Sequence, residues 1–433
     1  MRLLHLSNDL YPAVTGGTEL FVQQLLQAQQ QLLPGMSILS AAHRAPSVDA
    51  DHNASAPLAA HQRLLPPVLS GSRRQRLGAE AAAIPGFVEL LAEFRPTHLH
   101  LHSFSERCGL SHVRLARAAG VRVLVTVHAP GFSCIKGHLI DASGAVCDGR
   151  LRLLRCTRCR LHHGGLPRAL AAAVALQSGW PLSAEAPGRL AHVLTARQLT
   201  AAFQAAWLEL TRQAYAIHVL AAWSRDLLLR QGVPAHKLHL IRSAGPAPLP
   251  PRQRRFREDG LLRLVYWGRC EPVKGLHLLV RAIRALPASA PLVLDCYGPY
   301  WHGPYGERLQ RWIEGDPRFQ VCGTLPQAEL LPRLQAYDLG VLPSTWLETA
   351  PLTLLEAFAA GLPMAGSDLA GIRELLQGVD GCSLLQPHWR AWHQLFSRLL
   401  AAPIGSAPPA LPRPRSWADL ASELQPLLQG TRP

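Results

Sequence analysis

No run of this chain stays apolar for the roughly 18–20 residues that a membrane-spanning helix needs, which excludes helical membrane spans. Lysine is almost missing, with three of the 44 cationic side chains, so nearly all positive charge is arginine. Charged residues make up only 17% against 48% hydrophobic, a balance that excludes an intrinsically disordered chain. The basic clusters Arg73–Arg76 (RRQR) and Arg150–Arg160 (RLRLLRCTRCR) carry no interleaved aromatic side chains, and no known nucleic-acid module appears. Nucleic acid is therefore not expected as a partner. No internal repeat is evident. The first residues, MRLLHLSNDLYP, break into Ser-Asn-Asp from Ser7, which reads as a strand and loop and not as a secretory signal. The expected location is cytoplasmic.

At 433 residues the chain exceeds one compact core and predicts two domains. Buried strands are expected at Leu3–Ser7, His98–Ser103 (HLHLHS), Val121–His128 and Ile217–Ser224, with helices between them, the pattern of a parallel doubly wound sheet. Residues 246–260, rich in Pro and Arg, read as a linker after a first domain of residues 1–245. A second domain of residues 261–388 repeats the alternation, and residues 389–433 form terminal helices with the option of crossing back to the first domain. The positive charge is uneven. Residues 1–245 hold 25 Lys and Arg against 13 Asp and Glu, a net of +12, while residues 246–433 hold 19 against 16. Two readings stand equally: a solvated basic surface, or an anionic partner such as a phospholipid surface or a diphosphate-linked lipid, with peripheral attachment on the inner membrane face. The Leu- and Ala-rich residues 161–213 similarly read as core helices or as helices that dock on a membrane.

Two segments of the second domain concentrate chemistry. YWGRCEPVKGL (Tyr266–Leu276) places Arg269 and Lys274 after a strand, and PSTWLETAPLTLLEAFAAGLP (Pro343–Pro363) holds Glu348 and Glu356 with seven residues between them. Pro351 near a helix start, the apolar run through Phe358 and Gly361 as a stop put Glu348 on the entering loop and Glu356 inside the helix. Two cations and two carboxylates on strand-to-helix loops suit a ligand that is anionic at one end and hydroxylated at the other, as a nucleoside-diphosphate sugar is. The sequence around Glu356 is apolar on nearly every face, and an unpaired carboxylate there would be costly, which predicts a bound partner.

GR-x4-KG followed by E-x7-E-A-x-A-x-G-x-P resembles the retaining glycosyltransferases of family 4, which have the GT-B fold of two Rossmann-like domains facing each other across a cleft. SDLAGIREL at Ser367–Leu375 and GGTE at Gly16–Glu19 extend the likeness over nearly the whole chain. The resemblance implies transfer of a sugar from a nucleoside-diphosphate sugar to a hydroxyl acceptor, such as a sugar or lipid-linked saccharide, with retention and no catalytic metal. Cell-envelope or exopolysaccharide assembly is the expected setting. It implies that Arg269 and Lys274 hold the diphosphate, that Glu356 accepts from the ribose hydroxyls, and that Glu348 lies near the transferred sugar. The backbone of Thr349, Ala350, Pro351 and Leu352 is expected around the phosphates or sugar, with N–H groups from all but Pro351. Gly16 and Gly17 are expected at the phosphate or sugar as well. His128, at a strand end, matches a histidine close to the donor sugar, but the family's following Asp is Ala129 here.

The family expects catalytic roles for His128, Arg269, Lys274 and Glu348. Alternatives are a catalytically degenerate scaffold for polysaccharide assembly, a sugar-nucleotide epimerase, or a phosphorylase of similar fold. Separately, Cys134, Cys147, Cys156 and Cys159 lie within 26 residues at spacings of 12, 8 and 2, and end in C-x-x-C. Structural zinc and free thiols both remain open for them. The other five cysteines read as reduced core thiols.

Overall fold

The protein is described by a computed structural model covering residues 1–12, 16–44, 58–69, 71–79, 83–141, 143–177, 182–253 and 255–429. Its contacts divide the chain into two units, Met1–Arg242 with Trp417–Pro433, and Ser243–Ser416.

In the first unit, strands β1 (Arg2–Leu6), β2 (Ser37–His43), β3 (Gln62–Leu65), β4 (His98–Leu101), β5 (Arg122–Val127), β6 (Ala216–Val219) and β7 (Leu238–Leu240) form one sheet. The order is β3-β2-β1-β4-β5-β6-β7 and every pairing is parallel. β1 and β4 to β6 are almost wholly buried, as expected of a sheet covered by helices on both faces. Helix Gly17–Leu32 packs against helix Trp417–Gln429, with the rings of Phe21 and Trp417 5.4 Å apart. The Tyr215 hydroxyl donates to the Leu427 carbonyl of the same terminal helix. Helix Ala196–Gln213, in the stretch with two open readings, buries Leu199, Phe203, Trp207 and Leu210, so it belongs to the core. No described helix is long and apolar enough to cross a membrane.

In the second unit, β8 (Leu262–Trp267), β9 (Leu292–Tyr297), β10 (Phe319–Gly323), β11 (Leu339–Leu342), β12 (Met364–Ser367) and β13 (Ser383–Leu385) run in the order β10-β9-β8-β11-β12-β13. All pairings are again parallel. The side-chain period of two is visible along β8. Leu262, Leu264 and Tyr266 enter one apolar core with helices Leu276–Arg284 and Trp389–Ala401, while Val265 and Trp267 enter the other with helix Leu352–Ala359.

Residues 246–260, expected as a linker, instead pack on the second unit. Leu249 N–H donates to the Ala359 carbonyl at 2.8 Å, and Arg252 and Arg257 are buried. Asp338 explains this, accepting from the Arg257 N–H at 3.1 Å, while the Arg257 guanidinium donates to the carbonyls of Leu399 and Leu400. A Pro- and Arg-rich composition signals irregular backbone, and that backbone finds its hydrogen bonds on the domain surface. Of the terminal helices, Trp389–Ala401 stays with the second unit and only Trp417–Gln429 packs on the first.

Candidate active site

In the second sheet the chain runs outward from β8 through β9 to β10 on one side, and from β11 through β12 to β13 on the other. β8 and β11 are neighbours, so the loops that leave their carboxyl ends diverge and open a crevice, the usual ligand position in a doubly wound sheet. The loop after β8 carries Arg269 and Lys274, and the loop after β11 carries Glu348.

These loops are clamped together. A 3-10 turn, Pro272–Lys274, ends at Gly275 with φ +74°. A Cβ on Gly275 would lie 1.9 Å from the Pro343 carbonyl oxygen, so only glycine permits this approach. Thr345 N–H donates to the Val273 carbonyl at 2.8 Å, and the Thr345 hydroxyl donates to it as well. The result sets Lys274 Nζ 2.7 Å from Glu348 Oε1, which also accepts from Ser344 Oγ at 3.0 Å. Burial pushes the Glu348 carboxyl up, but the Lys274 charge and the hydrogen bonds outweigh it and hold the group below its ordinary value. Behind it, Gly371 N–H donates to the Glu348 carbonyl at 2.9 Å, and a Cβ on Gly371 would strike the Thr349 oxygen at 2.3 Å.

Glu356 lies in the second turn of helix Leu352–Ala359 and is buried, but it has protein partners. Trp267 Nε1, at the end of β8, donates to Oε2 at 2.8 Å, and Gln327 Nε2 donates to Oε1 at 3.3 Å. The inference of a bound partner from an unpaired carboxylate is therefore corrected. Burial still raises the carboxyl above its ordinary value, with the two hydrogen bonds acting the other way. Pro351 is the N-cap with φ −64° and is buried, as is Thr349, while Ala350 and Leu352 are half-buried. Arg269 does not join the Lys274–Glu348 pair. Its guanidinium meets Glu271 at 3.3 Å with the side chain 41% exposed.

Gly16, Gly17 and His128 belong to the first unit. Gly16 is the N-cap of helix Gly17–Leu32 with φ −97°, and a Cβ on Gly17 would meet nothing within 4 Å. Neither position demands glycine for its own backbone. His128 follows β5 and packs edge-on against Phe21, 4.8 Å between ring centroids.

Where the family pattern would put an Asp beside this histidine, the structure supplies other histidines. His128 Nε2 is 3.0 Å from His102 Nδ1, His102 Nε2 is 2.9 Å from His5 Nδ1, and His5 Nε2 is 2.9 Å from Gln29 Oε1. With the Gln29 carbonyl accepting, each ring donates from Nε2, and His128 carries its lone pair on Nδ1. Burial holds these rings neutral, lowering His5 to about 4 and His128 to about 3, with His102 far down as well. A parallel chain joins His100 Nε2 to Thr126 Oγ1 at 2.6 Å, then to His218 Nδ1 at 2.9 Å, and ends on the Ile241 carbonyl. Ring nitrogens of His5, His100 and His102 lie within 4.8 Å of one another, although His5 and His102 already share a hydrogen bond. The sequence reading identified HLHLHS as a strand and overlooked its period of two, which puts His98, His100 and His102 on one face. The four clustered cysteines line a single cavity of about 550 Å³, also in the first unit.

Residues 262–402, a third of the chain and most of the second unit, match the family described as Glycosyl transferases group 1. Similar curated proteins include the putative colanic acid biosynthesis glycosyltransferase WcaL of Salmonella typhimurium, 31% identical over 27% of this chain and 30% of its own length. The amylovoran biosynthesis glycosyltransferase AmsK of Erwinia amylovora is 29% identical over 35% of this chain and 38% of its own length. The chain thus matches only about a third of the length of these curated relatives. Whole-chain likeness is structural. Anabaena Alr3699/HepE, solved in complex with UDP and glucose, superposes with a TM-score of 0.54 at 14% identity, covering 98% of this chain and 95% of that one. The catalytic domain of Starch Synthase IV from Arabidopsis thaliana, bound to ADP and acarbose, gives 0.56 at 14% identity, covering 99% of both chains. Two Rossmann-like units with all-parallel sheets in this likeness make the fold GT-B.

Proposed function

We propose that the protein is a retaining glycosyltransferase that moves a sugar from a nucleoside-diphosphate sugar to a hydroxyl acceptor in polysaccharide assembly. The observation that carries this reading is the Lys274–Glu348 pair, held at 2.7 Å at the switch point between β8 and β11. An ammonium already desolvated there gains a partner as a diphosphate leaves, and some of that gain belongs to the transition state. Arg269, half-exposed on the same loop, adds a second cation for the phosphates. The carboxylate of Glu356 suits the ribose hydroxyls, and the backbone at Thr349–Leu352 suits the phosphates or the sugar.

Leaving-group phosphate, not a protein carboxylate, would take the acceptor proton, so the reading needs no protein base, and Lys274 and Arg269 would meet the diphosphate charge in place of a catalytic metal. The homologues named for colanic acid and amylovoran synthesis, and the neighbour solved with UDP and glucose, support the substrate class. The first unit would take the acceptor, with Gly16, Gly17 and His128 toward the sugar. There Leu170, Leu176 and Leu190 are 55%, 67% and 72% exposed beside Arg168 and Arg189, which supports a lipid-linked acceptor at an anionic membrane surface.

The test is a thermal-shift screen against UDP-, GDP-, ADP- and dTDP-sugars with Glu356→Ala alongside. A ligand at about 100 times its dissociation constant stabilises the wild type by roughly 2.7 kcal/mol. One nucleotide series should shift the wild type and not the variant. A panel that shifts neither protein would oppose the transferase reading and favour the scaffold.

A further inference from the structure

We infer that Cys134, Cys147, Cys156 and Cys159 form a structural zinc site that holds the segment after β5 in shape. Three different elements deliver these thiols to one cavity. Cys134 ends the turn after the 3-10 segment Pro130–Phe132, its N–H donating to the Pro130 carbonyl at 3.1 Å. The chain then forms a short antiparallel ribbon through the Ile140–Val146 bridge, and Cys147 closes it, donating to the Leu139 carbonyl at 2.8 Å. Cys156 and Cys159 stand three residues apart in helix Leu153–His163, and so on one face of it. All four line the same cavity and none is in a disulfide; no three of their sulfurs lie within 4.8 Å of one another, so a bound ion would draw them inward.

The segment also needs a staple. Among the described residues from Cys134 to Asp148, only Leu139 is buried. A loop of this length with a single buried apolar side chain has no core to order it, and small units of this kind are usually held by metal or disulfide. Four soft thiols with no carboxylate among them favour a closed tetrahedral zinc centre.

The surroundings suit the charge. Zinc with four thiolates is dianionic, so a closed site calls for positive charge beside the sulfurs. Compensation is in place: Lys136 Nζ lies 3.5 Å from Cys159 Sγ, and Arg155 Nη2 lies 3.7 Å from Cys147 Sγ. The Gly149 N–H also donates to Cys147 Sγ at 3.5 Å. Asp148 pairs with Arg155 and also accepts from the Cys147 thiol at 3.8 Å, a proton that zinc binding would displace. Part of the arginine cluster at Arg150–Arg160 thereby gains a purpose that does not involve an external anion.

The site is tested on the full chain purified without a polyhistidine tag. Elemental analysis should find one zinc per chain, released by a mercurial that titrates thiols, and cobalt exchanged for it should show sulfur-to-cobalt charge transfer with intense tetrahedral bands. The Cys156→Ser/Cys159→Ser double variant should retain less than a tenth of the zinc. If that variant does not fold, the cobalt spectrum of the wild-type protein decides alone. Metal-free protein from zinc-supplemented growth, with all four native thiols reacting freely, would overturn the inference. So would disulfides in the mass spectrum, cobalt bands without sulfur charge transfer, or full zinc retention in the folded double variant, which would move the metal to the histidines of β1 and β4.

Discussion

Glu348 and Glu356 are equally buried at 8% and 7% exposure, yet their environments drive their carboxyls in opposite directions. Glu348 has a cation at 2.7 Å, whereas Glu356 has only the neutral donors Trp267 and Gln327. A carboxyl raised by folding is ionised more readily in the unfolded chain, so the Glu356 charge lowers stability as pH rises above its ordinary value, and this loss is present at pH 7. Glu356→Gln keeps an acceptor for Trp267 and removes that charge. It should melt no lower than the wild type at pH 7 and bind the nucleoside diphosphate about ten- to a hundredfold more weakly, the worth of a charged hydrogen bond. Calorimetric titration beside a thermal melt checks both parts, and unchanged affinity would remove Glu356 from the donor site. The residue types and spacing of this constellation were legible in the sequence. The pairing was not, because Lys274 and Glu348 meet only through the Gly275 approach to Pro343 and the hydrogen bonds of Thr345, which depend on two strands far apart in the chain becoming neighbours.

Elements show the same division. The apolar runs of β1, β5 and β8 announce themselves, since a parallel strand buried on both faces reads as continuous hydrophobicity. β2 (SILSAAH) and β12 (MAGS) do not, because their small residues suit tight helix cover and carry little β-propensity. Gly366 in β12 illustrates this: a Cβ there would sit 2.5 Å from Ile372. Gly275 is a sharper case, needing both its positive φ and its missing Cβ. Gly275→Ala should lower stability by roughly 1–3 kcal/mol in denaturant melts and weaken donor binding with it, as the Lys274 turn separates from Pro343. On the other sheet, β4 and its neighbours contribute neutral histidines. Their folded values lie below the unfolded value, so the unfolded chain takes up protons first and stability falls as pH drops below about 6.5, by up to about 1.4 kcal/mol per unit for each such ring. The melting temperature should be level from pH 8 to 7 and fall between pH 6.5 and 5, above the range where most carboxylates titrate. A level profile down to pH 5 would mean that these rings take up protons in the folded protein as readily as in the unfolded chain.

At the scale of the whole molecule, the two units have separate sheets and separate cores, but the chain does not visit them once each. Helix Trp417–Gln429 returns to the first unit and buries Leu420, Leu424, Leu427 and Leu428 there. Each fully buried leucine contributes roughly 1.5–3 kcal/mol, so four of them rival the whole stability of an ordinary domain, about 5–15 kcal/mol. The Tyr215 hydroxyl bond to Leu427 and the Phe21–Trp417 contact would be lost with the helix. Among the described residues, the second unit's apolar clusters are closed by Trp392, Leu395 and Phe396 of helix Trp389–Ala401 on one face of its sheet and by Leu354 and Ile372 on the other. A chain ending at Ser416 should therefore lose or strongly lower the first unit's calorimetric transition while the second unit still melts on its own. The surviving transition should still rise with the nucleoside diphosphate, because Lys274, Glu348 and Glu356 all lie within residues 243–416. If truncation instead abolished both transitions, the second unit's fold would depend on the terminal helix, and the donor site could not be assigned to that unit alone.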